Sequence, residues 1–283
     1  MRLTRRRKYA IVNADDFGFS QVISAGILRA HAEGIVTSTT VTANMPAAEA
    51  AIATLAGAAG LGVGVHLNLS QGPPLSRAGQ RLAGPDGDMN SSGAGLILKC
   101  ILVPHLLDAV QDECDAQIRW VLDHGIRPTH LDSHRHAHAF PPVFSRVAAL
   151  ARRYHVRFVR WHGERLRGAA WPAAPVGQRV VSCVLNGLAA ANAARDCTLR
   201  GTVGTLGVAH TGRIGRDWLL RAAGAIGPGV TEIMTHPGLA DHAAAGQTRL
   251  VESRQAELAA LCDPTVRQAF ARRGITLIHY GQL

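Results

Sequence analysis

Apolar runs and helical stripes alternate along the chain. Residues 9–13 form a short β-type run that ends in polar side chains. Residues 21–33 place Ile23, Ile27, Leu28 and Ala30 at helical spacing, with Ser20 as N-cap and Gly34 as stop. Residues 35–42, rich in Val and Thr, read as a second strand, 47–55 as a short Ala-rich helix and 62–69 as a third strand. Residues 71–94, dense in Gly, Pro, Ser and Asp, read as loop. A helix is predicted over 103–124, with Pro104 in its first turn and Leu107, Val110, Cys114, Ile118, Val121 and Leu122 on one face. A fourth strand (129–132), a helix (141–154) and a fifth strand (156–160) follow. Helices are expected at 180–194, 216–225, 250–261 and 264–273, with strands at 232–235 and 276–280.

This alternation predicts an α/β fold, a parallel sheet with helical crossovers. No linker, repeat or low-complexity block breaks it. Residues 1–283 are therefore expected to form a single domain, with 1–8 as a basic lead and 71–94 as a loop insertion. The number of βα units suits an irregular (β/α) barrel better than an open doubly wound sheet, which gives much the same pattern.

Composition narrows the function. A hydrophobic share of 47% and a mean hydropathy of +0.07 fit a globular chain with a sizeable core. The formal charge is +10, yet every basic residue except Lys8 and Lys99 is an arginine, scattered apart from Arg5-Arg6-Arg7. Aromatics are only 5% and form no basic-aromatic stripe, so nucleic acid is not an expected partner. Contact with an anionic membrane surface stays open. Cys100, Cys114, Cys183, Cys197 and Cys262 are odd in number and widely spaced, which fits reduced cytoplasmic thiols rather than disulfides or structural zinc. No signal peptide or transmembrane run is visible. The nearest is 95–107, GLILKCILVPHLL, broken by Lys99, Pro104 and His105; burial in the core explains it more readily than contact with lipid.

Candidate chemistry gathers at the predicted strand ends, where parallel α/β folds build their sites. Asn13, Asp15 and Asp16 follow the first strand, and His66 lies in the third. His130, Asp132, His134, His136 and His138 lie at and after the fourth, and Glu232 and His236 bracket a late one. Each has a plain structural alternative. Asp15-Asp16 suits a helix N-terminus, His66 a core position, and His236 a strand-to-turn corner before Pro237 and Gly238. Four histidines and an aspartate within HLDSHRHAH are harder to explain that way. Two imidazoles and one carboxylate leave open positions on a metal, which can polarise a carbonyl and acidify a water. A spare Asp then serves as base and a spare His as acid. This is equipment for metal-assisted hydrolysis, with amide, ester and phosphoester all open, and with His134, His136 and His138 unresolved as ligands.

The segments NADDFGFS, GIVTSTT, GVHLNL, PTHLDSHRHAHAFPPVF and EIMTHPG, in this order over residues 9–280, resemble the YdjC-like carbohydrate deacetylases. That family includes chitin-disaccharide and hopanoid-biosynthesis-associated deacetylases. The resemblance implies an irregular (β/α) barrel and one divalent metal ion on Asp16, His66 and His134, with Asp15 as base and His236 as acid. It places Arg160 where the family often has a strand-end arginine, orienting the base or binding substrate. Asn13, Asp132, His136, His138 and Glu232 remain as substrate-binding or supporting residues. The family is usually described with Mg²⁺, whereas two imidazoles favour Zn²⁺. The implied reaction releases acetate from an N-acetylamino sugar, either a chitooligosaccharide or an N-acetylglucosaminyl lipid such as a hopanoid glycolipid. A metal-dependent phosphoesterase and a non-catalytic sugar-lipid or anionic-membrane binding protein are the alternatives. Trp120, Trp161, Trp171 and Trp218 are candidate sugar-stacking residues, and a homodimer is common for enzymes of this size.

Overall fold

The computed structural model describes residues 7–164 and 174–283; Trp171 and positions 1–6 of the basic lead lie outside them. In chain order the elements are β1 (Lys8–Phe17), α1 (Gln21–Ala32), β2 (Ser38–Val41), α2 (Ala48–Ala53), β3 (Gly62–Leu67), α3 (Gly93–Leu102), α4 (Leu106–Asp123) and β4 (Leu131–Ser133). They continue with α5 (Pro141–Arg153), α6 (Val176–Arg195), β5 (Gly204–Leu206), α7 (Arg216–Ala225), β6 (Gly229–Thr235), α8 (Glu252–Cys262), α9 (Pro264–Arg272) and β7 (Ile275–Leu277).

All strands pair in parallel, in the order β4-β3-β2-β1-β6-β5, with β7 beside the first half of β1. β1 is buried along its whole length after Lys8, as a central strand covered on both faces must be. Single parallel bridges from Leu131 to Val159 and from Val159 to Arg200 carry the sheet past β4 toward the chain that enters β5. The sheet curls into an irregular (β/α) barrel with the helices outside.

Local chemistry sets the helix starts. Ser20 Oγ accepts the Ile23 amide at 3.1 Å and caps α1. Asp263 does the same for α9 by accepting from Thr265, and Pro264 fills the first helical position. α1 turns Ile23, Ile27 and Ala30 inward. At Gly26 a Cβ would lie 2.4 Å from the Leu239 amide nitrogen, so only glycine lets α1 press on the backbone just after His236.

Several expectations need correction. The helix predicted over 103–124 is α4, which starts only at Leu106, because Pro104 sits in the turn between α3 and α4 rather than inside a first turn. The loop over 71–94 gives way to α3 at Gly93, where Ser92 Oγ caps the new helix. The expected strand over 156–160 shrinks to the bridges at Val159. β5 was not foreseen, since three residues carry too short a pattern to read. The expected last strand, 276–280, is β7 up to Leu277, and a tight turn takes Tyr280–Gln282. The lean toward burial of 95–107 also fails in part: Leu96 and Cys100 are buried, while Leu98, Ile101 and Leu102 face outward.

Candidate active site

Asp15 and Asp16 lie within the last residues of β1, where the pairing with β2 slips between Ala14 and Phe17. Asp16 takes φ = 70°, a left-handed conformation uncommon outside glycine. The irregularity lets two adjacent carboxylates make separate contacts. Arg135 and His136 also carry positive φ, so backbone strain clusters at this end of the barrel.

Asp16 Oδ1 is the meeting point. His66 Nε2 is 3.3 Å from it and His134 Nδ1 is 3.2 Å from it. The ligand atoms of these three residues all lie within 4.8 Å of one another, close enough to share one cation. His66 belongs to β3 and pairs in register with Asp132 of β4, whose Oδ1 holds His66 Nδ1 at 2.7 Å. That contact leaves Nε2 for the centre, as a carboxylate behind a metal-binding imidazole does. Thr40 Oγ1 supports the pair, 3.1 Å from Asp132 Oδ2. Burial opposes charge on His66, yet Asp132 and Asp16 raise its pKa to about 10. The carboxylates around this ring favour positive charge at the centre, and the mixed N,O donor set fits a divalent ion. Asp15, His66 and Asp132 form a second compact trio, but Arg160 already lies among its carboxylates.

Asp15 is gripped on both oxygens. Arg160 Nη1 and Nη2 each donate to it at 2.6 Å, and Asn13 Nδ2 adds a bond at 2.8 Å. Burial alone would raise its pKa, but the Arg160 charge and hydrogen bonds, aided by His66 and His236, hold the carboxyl below the usual range. Arg160 also donates through Nε to Glu232 Oε1 at 2.9 Å and lies 2.9 Å from Asp132. Glu232 thus sits behind Arg160, where Thr205 and Tyr280 hydroxyls complete its bonds. His236 Nε2 is 3.9 Å from Asp15 Oδ2, and burial lowers its pKa to about 4 against the pull of Asp15 and Asp16.

These groups open into a cavity of about 620 Å³ lined by Asp15, Asp16, His66, His134, His136 and His236 among others. His136 is steadied by His162, whose Nε2 is 3.1 Å from its Nδ1. His138 turns away from the cavity to Ser133 Oγ and the Arg160 carbonyl. Of the candidate tryptophans, Trp161 and Trp218 are buried in the core and Trp120 packs against it; none of the three lines the cavity.

Two residues of α8 escaped the sequence reading. Arg254 is buried and donates through Nη2 to Asp16 Oδ2 at 2.6 Å, while its Nε and Nη1 find no acceptor among the described residues. Glu257, three positions on, accepts the His236 amide at 2.7 Å, and burial raises its pKa to about 7. Their i, i+3 spacing on one helix face was the only available signal.

A family model described as YdjC-like protein matches residues 9–272. A carbohydrate deacetylase of Geobacillus stearothermophilus is 34% identical over 276 residues, 97% of this chain and 98% of its own. A chitooligosaccharide deacetylase of Enterobacter sp. strain 638 is 33% identical over 283 residues, 95% of this chain and 97% of its own. Among solved structures, a protein of Enterococcus faecalis V583 with a provisional cellobiose-phosphate cleavage assignment matches with a TM-score of 0.76 and 25% identity over 98% of each chain. With nearly its whole length matched, this chain belongs to the YdjC-like family.

Proposed function

We propose that the protein is a divalent-metal-dependent carbohydrate deacetylase that hydrolyses the N-acetyl group of an amino sugar and releases acetate. The observation that carries this reading is the shared oxygen: Asp16 Oδ1 meets His66 Nε2 and His134 Nδ1, with the neighbouring carboxylate of Asp15 directed to Arg160 and the cavity. The deacetylase names of full-length relatives support the bond chosen.

Asp16, His66 and His134 would hold the ion, and two imidazoles favour Zn²⁺ or another transition ion over Mg²⁺. Bound there, a divalent ion supplies Lewis acidity to a water and to the acyl oxygen. Asp15 is the base. Because Arg160 keeps it a weak one, it can take a proton only from a water already acidified. Arg160 fixes both oxygens, so the carboxylate cannot rotate as it accepts the proton. His236 enters neutral, its pKa held near 4 by burial, and must gain a proton before giving one away. Asp15 Oδ2, at 3.9 Å, offers a short route for that proton to His236 Nε2, which then delivers it to the departing amine. The substrate is a chitooligosaccharide or an N-acetylglucosaminyl lipid such as a hopanoid glycolipid.

Asp15→Asn tests the assignment. The variant is expected to keep its metal and to lose about 10²–10⁴-fold in acetate release from N,N′-diacetylchitobiose or an N-acetylglucosaminyl lipid. Turnover near the parent rate would remove Asp15 from the base role, and phosphate rather than acetate release across a substrate panel would move the protein to the phosphoesterases.

A further inference from the structure

Seven of the ten exposed large hydrophobic residues among the described ones fall on two helices. α3 exposes Leu98, Ile101 and Leu102, the last at 71%. α6 exposes Val176, Val180, Val181 and Val184, a stripe of one helix face, with Val176 at 75%. Single exposed apolar residues are ordinary, but this concentration is not.

Both helices pack against the tight turn His134–Ala139, which carries the candidate ligand His134. Ser92, the cap of α3, lines the cavity together with Arg135. Gln178 of α6 donates to the carbonyl of Thr211, which lines the cavity as well. The two stripes therefore spring from the rim of one mouth. α3, α6 and the turn between them contain no acidic residue, whereas Lys99, Arg135, Arg179 and Arg195 are basic.

We infer that this rim docks on an anionic phospholipid surface, with Leu98, Ile101, Leu102 and the α6 valines entering the headgroup region. Apolar side chains flanked by basic ones, without acidic neighbours, match the chemistry of such a surface. A second copy of the chain would set like charges against each other. The docked mouth would then face amino sugars carried on lipids, a consequence that rests on the deacetylase reading; the docking itself does not.

The test uses the full chain loaded with metal and sedimented with phosphatidylcholine vesicles, with and without phosphatidylglycerol. The parent is expected to bind only the anionic vesicles and to release them in high salt. Ile101→Glu with Val180→Glu, and separately Arg179→Glu, should each weaken binding about tenfold. Both variants should keep the parent's turnover on soluble N,N′-diacetylchitobiose, which shows that they fold. Absent vesicle binding, binding equal in parent and variants, or a dimer dissolved by the same substitutions without vesicle binding would each overturn the inference. Loss of turnover in the parent would sink the deacetylase reading and leave the vesicle result standing.

Discussion

Asp15 and Asp16 are adjacent and equally buried, yet the protein handles them in opposite ways. Asp15 is held from the barrel interior: Arg160 takes both its oxygens and ties the group to Asp132 and Glu232. Asp16 is held from outside the barrel: Arg254 of α8 takes Oδ2 alone and leaves Oδ1 facing two imidazoles. What separates the roles is how many oxygens each arginine occupies. A carboxylate pinned on both sides accepts a proton in a fixed place. One pinned on a single side keeps a lone pair for a cation. The irregular end of β1 and the positive φ of Asp16 make the split possible, because a regular strand would send the two side chains to opposite faces.

The harshest way to break this comparison is Arg160→Met. It strands Asp15, Asp132 and Glu232 without their shared buried cation, and such a loss costs about 3–5 kcal/mol. Denaturant unfolding reads that loss, and acetate release should fall with it. An unfolding midpoint like the parent's would show that Arg160 does not hold the interior together.

Arg254→Met sharpens the other side. Freed from its anchor, Asp16 Oδ2 can turn toward the centre, and metal affinity is expected to drop about 10–100-fold. At saturating metal kcat should stay near the parent value, because Asp15 and Arg160 are untouched. Unchanged affinity in a metal titration would mean that the β1 backbone alone positions Asp16.

Glu257→Gln leaves the carboxylate–arginine pairs intact and gives an effect whose sign depends on pH. Glu257 titrates near 7 in the folded chain against an ordinary 4.5, so the folded state holds the extra proton between those values. Its contribution to stability is present below pH 4.5 and is lost as pH rises through 7. Glutamine, which never ionises, removes that loss while still able to accept the His236 amide. The Tm of the variant relative to the parent should therefore be higher at pH 8 than at pH 5. A pH-independent difference would show that Glu257 is not protonated in the fold.

Reading the sequence worked where one local signal sufficed. α7 occupies Arg216–Ala225, the span its apolar spacing marks, and α5 and α9 begin at prolines. It failed where an element is short or tertiary, as at β5 and at the bridges of Val159, whose pairing depends on distant chain. The apolar run that became α3 shows a further limit. Composition told that Leu98, Ile101 and Leu102 are hydrophobic, but only the packing of α3 on its neighbours decided that they face outward.

The sequence by itself determined the alternation of strands and helices and the stock of carboxylates and imidazoles at the strand ends. Residue type and spacing are local properties, and motifs such as HLDSHRHAH make them visible. Residue spacing left His134, His136 and His138 open, and the family likeness favoured His134. Only the tertiary structure decided that His134 lies against Asp16 while His138 turns to Ser133, that His162 steadies His136, and that Arg254 and Glu257 of α8 hold Asp16 and the His236 amide. Arg254 looks in sequence like any of the scattered arginines, because a buried ion pair depends on distance across the fold, and spacing along one helix does not encode the partner.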